Sequence, residues 1–318
     1  MYPVVVDGPI IQVENLTKVF GRGTQQKRAV DGINLQVTGQ QVFGFLGPNG
    51  AGKTTTIRML LNLIHPTAGQ ATIFGQDPRG NPAILRQVGT LVEGAAFYPY
   101  LTGWDNLRVA GCSQGGLDEE RARRLIDLVG LAEVAMVRVG KYSTGMRQRL
   151  GLAAALLQDP DLIILDEPTN GMDPAGIREM RTFIRDLAHR YGKTVFLSSH
   201  LLGEVQQICD AVAIIHQGRI LREGTIAELL DQKPQLEIES TPVNRTLELL
   251  QERWAAQQTA DGKVIVDAPR DEAPAILRHL IEHNVEVFQV VQRRQTLEDF
   301  FFTLTGSPQL RNLEGWQA

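Results

Sequence analysis

At 318 residues the chain has room for one large domain and one small one, each with its own core. Hydrophobic residues make up 43% and charged residues 21%, which excludes a disordered or fibrous chain, and the net charge of -4 argues against non-specific binding of nucleic acid. Two cysteines, Cys112 and Cys209, lie far apart without C-x-x-C spacing, so neither a disulfide framework nor a zinc site is expected and a reducing compartment fits.

The segment from Met1 to Val13 has no basic start, and with Asp7 within it and Glu14 just after it, it never builds the long apolar core of a signal peptide, so it does not read as one. Ile10 to Phe20 and Ile33 to Val37 alternate β-branched and polar residues between Gly21, Gly23 and Gly39, which predicts short antiparallel strands. Gln41 to Leu46 is an apolar strand running into a glycine-rich turn, and Thr54 to Ile64 has helical spacing until Pro66 stops it. From about 97 to 160 the periodicity is helical, with helices expected near Trp104 to Cys112, Leu117 to Val129 and Gly145 to Gln158 as an inserted subdomain. The longest apolar runs, such as Leu150 to Leu157, fall far below the roughly 18 residues of a spanning helix, so membrane contact is expected only through a partner.

Leu162 to Leu165, Thr194 to Ser198 and Ala211 to Ile215 are continuous apolar runs of the kind covered on both faces in a parallel sheet. A helical pattern over Pro174 to Tyr191 separates the first two, so the core is predicted to be doubly wound α/β. Asp231 to Pro234 reads as a linker. Strands at Gln235 to Glu239, Lys263 to Asp267 and Val285 to Val291, with helices near Asn244 to Trp254 and Asp271 to Glu282, predict a small α+β domain. The clusters Arg121, Arg123, Arg124 and Arg293, Arg294 read as solvated faces.

Gly47-Pro-Asn49-Gly50-Ala51-Gly52-Lys53-Thr54, followed by Thr55, matches GxxxxGK[ST] between a predicted strand and a predicted helix. Glycines let successive amides converge on phosphate oxygens, and the helix start adds its positive end. Lys53 is then expected at the β- and γ-phosphates of ATP and the Thr54 hydroxyl on Mg²⁺. Asp166 and Glu167 end a buried-strand pattern, at the edge where a doubly wound sheet places ligands. Asp166 suits the metal, which offsets the repulsion between adjacent carboxylates, and Glu167 suits the water attacking the γ-phosphate.

Tyr142-Ser143-Thr144-Gly145-Met146-Arg147-Gln148 lies just upstream of Asp166, where the ATP-binding-cassette (ABC) transporter family carries its LSGGQ signature, and the chain resembles that family over roughly 10–230. Asn170 to Asp173 and Ser198-Ser199-His200 resemble its D-loop and switch histidine. The resemblance implies a P-loop cassette with an antiparallel β subdomain and an inserted helical subdomain. It also implies that Phe20 stacks on adenine and His200 holds the attacking water. Two cassettes would pair head to tail, Ser143, Gly145 and Asp173 of one facing the nucleotide of the other, on separate membrane-spanning permease subunits at the inner face of the cell membrane. The start of the helix after Ser143 is also an anion-binding end on physical grounds.

Two departures stand out. Glu93 occupies the loop where the family usually has Gln; ionised glutamate only accepts hydrogen bonds, so a metal-facing role is expected for it. In the signature only Ser143 and Gly145 survive, and Thr144 would disfavour a positive-φ backbone. These departures, with Phe97 to Trp104, resemble exporter cassettes of the bacitracin and lantibiotic self-protection type. Thr296 to Gly306 is similar to endings of drug-exporter cassettes, although its i, i+3, i+4, i+7 pattern equally suits packing in a small domain over 235–306, before a tail at 307–318. A soluble ATPase of translation or DNA maintenance shares the nucleotide chemistry, but the long coiled coils, paired cassettes and zinc modules of such proteins are not seen in this sequence.

Overall fold

The computed structural model describes residues 8–92, 94, 96–230, 234–259, 261–293 and 296–305. It separates into two compact units, 1–226 and 227–318. Three of the residues read as a linker, 231–233, lie outside the described residues, as do Arg294 and Gly306.

In the first unit, β1 (Ile11–Phe20) is the middle strand of an antiparallel sheet, between β2 (Lys27–Val37) and β4 (Ala68–Ile73). β2 begins six residues before its predicted start, because the exposed Lys27 and Arg28 pair with Phe20 and Val19 of β1. Between these strands lie β3 (Val42–Leu46) and α1 (Lys53–Leu60). The apolar spacing predicts helix as far as Ile64, yet α1 ends four residues earlier. Asn62 takes a left-handed φ of 55°, and the Leu63 amide donates to the Arg58 carbonyl at 2.9 Å, which closes the last turn.

The chain continues through β5 (Val88–Leu91), α2 (Gly103–Ser113), α3 (Glu119–Leu128) and α4 (Thr144–Ala155), then β6 (Leu162–Asp166), α5 (Pro174–His189), β7 (Thr194–Ser199), α6 (Leu202–Ile208), β8 (Ala211–His216) and β9 (Arg219–Thr225); α7 (Ile226–Leu230) lies, after its first residue, in the second unit. The six-stranded sheet has the order β5-β6-β7-β3-β8-β9. All its neighbours are parallel except β8 and β9. That last pair is a hairpin turned at Gln217 and Gly218, both at positive φ, the twist that matches the flanking strands. Every residue of β3, β6 and β7 is buried, as continuous apolar runs require when helices cover both faces. Phe196 anchors this core, 5.9 Å from the Phe43 ring and 5.6 Å from that of Phe45.

Side chains cap the helices that flank the core. The Thr102, Asp118, Ser143 and Asp173 side chains each accept a first-turn amide of α2, α3, α4 and α5. Arg121 leaves its cluster to bond the Leu156 carbonyl at 2.9 Å and Asp159, so it is a tie rather than a solvated charge. Among the described residues no helix is long and apolar enough to cross a membrane.

The second unit holds β10 (Gln235–Thr241), α8 (Val243–Gln251), β11 (Ala256–Gln258), β12 (Val264–Asp267), α9 (Ala273–Glu282), β13 (Glu286–Arg293) and α10 (Leu297–Thr305). Its antiparallel sheet runs β11-β12-β10-β13, with a core built on Leu236, Ile238, Leu250, Val264, Val266 and Ile276. In α10, Leu297, Phe300 and Phe301 are buried.

Candidate nucleotide site

Because β6, β7 and β3 are adjacent and parallel, the segments that follow them emerge on one edge of the sheet. The Gly47–Gly52 loop follows β3, Glu167 follows β6 and His200 follows β7. Residues more than a hundred positions apart in sequence meet there.

The loop needs its glycines. Gly52 has φ 115°, and a Cβ there would stand 2.6 Å from the Ala29 carbonyl oxygen; at Gly47 it would stand 2.2 Å from that of Ile215. Asn49 and Gly50 are exposed at the tip, Ala51 is buried and its amide donates to the Pro48 carbonyl at 3.1 Å, and Thr55 is half-buried in the first turn of α1. The first-turn amides of a helix have no acceptor within it, so α1 presents donors at the loop's mouth.

Lys53 is buried, and its ammonium donates to the Gly47 carbonyl at 2.7 Å and pairs with Glu167 Oε1 at 3.1 Å. The other oxygen of that carboxylate, Oε2, lies 2.7 Å from His200 Nδ1. Burial disfavours the charged Glu167, but the His200 hydrogen bond and the charge of Lys53 outweigh it and hold the carboxyl below the ordinary glutamate range. Beside this chain, Thr54 Oγ1 donates to Asp166 Oδ2 at 2.9 Å and Ser198 Oγ to Asp166 Oδ1 at 2.5 Å. Two hydroxyls and a carboxylate are hard oxygen donors of the kind Mg²⁺ accepts alongside substrate phosphates. Thr54 and Asp166 therefore fit the metal; Glu93, the third residue expected to face it, lies outside the described residues.

In the sequence Ser198 is only the first residue of the Ser198-Ser199-His200 motif, with no role of its own. Its signal is the register, since Asp166 and Ser198 are paired across β6 and β7. Glu167 has a left-handed φ of 51°, fixed by its amide on the Ser198 carbonyl at 3.2 Å.

The signature residues form a second cluster. Ser143 caps α4 by accepting the Met146 amide at 3.2 Å, which leaves its proton available to a ligand, and Thr144 is the first residue of that helix. The expected conflict of Thr144 with a positive φ does not arise, because it sits in the right-handed helix; the left-handed residue is Gly171 opposite it, where a Cβ would stand 3.2 Å from Thr144 Cγ2. Gly145 faces Met172, and exposed Asp173 caps α5 by accepting the Gly176 amide at 2.9 Å. No hydrogen bond or ion pair among the described residues joins Ser143 or Gly145 to Lys53. Phe20, at the end of β1, is 42% exposed and presents an aromatic face; Lys18 Nζ lies 5.1 Å from the ring centroid.

A family model described as ABC transporter matches residues 30–170. A bacitracin transport ATP-binding protein of Bacillus licheniformis is 39% identical over 302 residues, 93% of this chain and 97% of that protein. A daunorubicin/doxorubicin resistance ATP-binding protein of Streptomyces peucetius is 36% identical over 316 residues, 94% of this chain and 93% of that one. The fold is also that of an ATP-binding cassette solved as a dimer with ADP and phosphate, at a TM-score of 0.61 and 24% identity over 68% of this chain and 98% of that one. With its phosphate loop, paired carboxylates and doubly wound core, the chain belongs to the ATP-binding-cassette family, as an ATP-binding subunit of ABC transporters.

Proposed function

We propose that the chain hydrolyses ATP and drives an exporter, working as a pair of cassettes on separate permease subunits at the cytoplasmic face of the membrane. The observation that carries the hydrolytic reading is the continuous Lys53–Glu167–His200 arrangement at the mouth of the Gly47–Gly52 loop. The names of the relatives, transport of bacitracin and resistance to daunorubicin, support export.

In this reading the γ-phosphate enters the loop and draws the Lys53 ammonium onto its oxygens, away from the Glu167 carboxylate. Glu167, kept ionised by its neighbours, is then an acceptor for the proton of the attacking water. His200 orients that carboxylate and the γ-phosphate. Thr54 and Asp166 would hold Mg²⁺, which would neutralise developing charge on the phosphate oxygens. Phe20 offers its ring to the adenine, and the amides of Gly50 and of Gly52 to Thr55 cradle the phosphates.

The exposed Ser143 at the start of α4, with Gly145, makes no hydrogen bond or ion pair to Lys53 among the described residues, and we assign this helix start, together with Asp173, to the nucleotide of a second cassette. Glu93 would contribute a further acceptor near the metal. Residues 10–230 form the ATPase domain in this reading, with 97–160 as the helical part that meets the permease and 235–306 as an accessory domain.

The test is turnover and mass of the purified chain. Wild type should release phosphate from ATP with Mg²⁺, and Glu167→Gln should bind ATP, form a dimer by light scattering and stop hydrolysing. A Glu167→Gln protein that remains monomeric with ATP and turns over normally rules out Glu167 as the base.

A further inference from the structure

Glu167 and His200 sit on separate turns, after β6 and after β7, and their 2.7 Å contact requires both turns to hold one spacing. The backbone of Glu167 is left-handed at φ 51°, a conformation that persists in a non-glycine residue only where its surroundings fix it. The turn after it is closed by the Asn170 amide on the Glu167 carbonyl at 3.1 Å and the Met172 amide on the Thr169 carbonyl at 3.2 Å, so Thr169 lies at its centre. The His200 turn is closed by Leu201 N on Ser199 Oγ at 3.0 Å and runs into α6, which has no side-chain cap.

One side chain spans the two turns. Thr169 is buried at 6% exposure, and its hydroxyl donates to Glu204 Oε2 at 2.9 Å. Glu204 lies in the first turn of α6, four residues after His200. Its other oxygen, Oε1, is 3.4 Å from Arg181 of α5, and Arg181 also donates to Gln207 Oε1 at 2.6 Å. With side-chain exposures of 15% and 20%, Glu204 and Arg181 are shielded enough for the pair to hold a geometry.

We infer that Glu204 is a positioning residue for hydrolysis: through Thr169 on one side and the start of α6 on the other, it sets the spacing between Glu167 and His200. Among the described residues its carboxylate contacts Thr169 and Arg181, not Glu167 or His200. The inference rests on the assignment of Glu167 as the base, and the experiment separates the two.

Steady-state ATP turnover of the full chain, with melting curves as a fold control, compares Thr169→Val, Thr169→Ser, Glu204→Ala, the Thr169→Val/Glu204→Ala double variant and Glu167→Gln. Because ATP contacts remain, Thr169→Val and Glu204→Ala should lower kcat about ten- to a hundredfold with KM within about twofold, the loss expected when catalytic groups shift by about 1 Å. Thr169→Ser keeps the hydroxyl and should stay within about threefold of wild type, and the double variant should be no slower than the slower single one. If Glu204→Ala melts early, Thr169→Val, which keeps the side-chain volume, decides the matter. Wild-type kcat in Thr169→Val while Glu167→Gln is inactive overturns the positioning role alone. So does a raised KM at unchanged kcat. Full turnover in Glu167→Gln overturns the base assignment, and the positioning role with it.

Discussion

Lys53 has two kinds of partner, a carbonyl of its own loop and the carboxylate of Glu167, and in the proposed site a phosphate would compete with both. Charge-assisted hydrogen bonds of this kind carry roughly 1.5–3 kcal/mol each. Lys53→Ala should therefore weaken ATP binding about tenfold or more by calorimetric titration, and an unchanged affinity would refute the phosphate-loop assignment. Glu167→Gln, which keeps the shape and removes the proposed base, should lower kcat about a hundredfold or more with binding retained. The carboxyl of Glu167 is held below its ordinary value, so it favours the folded state above the unfolded glutamate pKa of about 4.3, and that contribution is lost as pH falls through the depressed folded value. Urea midpoints of wild type and Glu167→Gln should accordingly converge as the pH drops below about 4. A gap that widens on acidification would mean the carboxylate is not stabilised by its neighbours.

At the scale of elements, the phosphate loop is set by backbone approach as much as by chemistry. Gly52→Ala combines a φ of 115° with a Cβ only 2.6 Å from the Ala29 carbonyl oxygen, so it should cost more than about 1 kcal/mol of stability and weaken ATP binding with it. A cap on a residue outside the candidate site gives the opposite pattern. Asp118 accepts the Arg121 amide at 3.0 Å at the start of α3, and Asp118→Ala should cost about 1 kcal/mol in urea unfolding with ATP affinity unchanged. Loss of ATP affinity in that variant would mean α3 reaches the nucleotide site.

At the scale of the molecule, the two units have separate cores, one around Phe45, Ile164 and Phe196 and one around Leu236, Leu250 and Ile276. Leu250→Ala should cost about 2–5 kcal/mol in the second unit, visible as an earlier calorimetric transition, while ATP affinity stays within about twofold. The permease is sought by purifying tagged Glu167→Gln with ATP and Mg²⁺ from native membranes. A multi-spanning membrane protein in the eluate identifies the partner, whereas ribosomes without any membrane protein would contradict the transporter motor.

The residues of the phosphate loop, the Asp166–Glu167 strand end and the buried strands were legible in the sequence, because each is a local pattern: glycines at fixed offsets, or an apolar run long enough for a strand covered on both faces. The exposed AGQ start of β4, the four-residue β5 and the Gln217–Gly218 hairpin escaped, since short edge strands and a turn without Asn or Asp carry little local signal. The stop of α1 at Leu60 escaped for a related reason: apolar spacing continues to Ile64, and only the left-handed Asn62 ends the helix. Local chemistry alone thus determined the kinds of element and the residue types that gather at the candidate site. The tertiary structure decided what meets: Ser198 on Asp166, Glu167 between Lys53 and His200, Thr144 against Gly171. Those contacts come from strands paired across long stretches of chain, and pairing across such distances is set by the packing of the whole sheet rather than by any window of sequence.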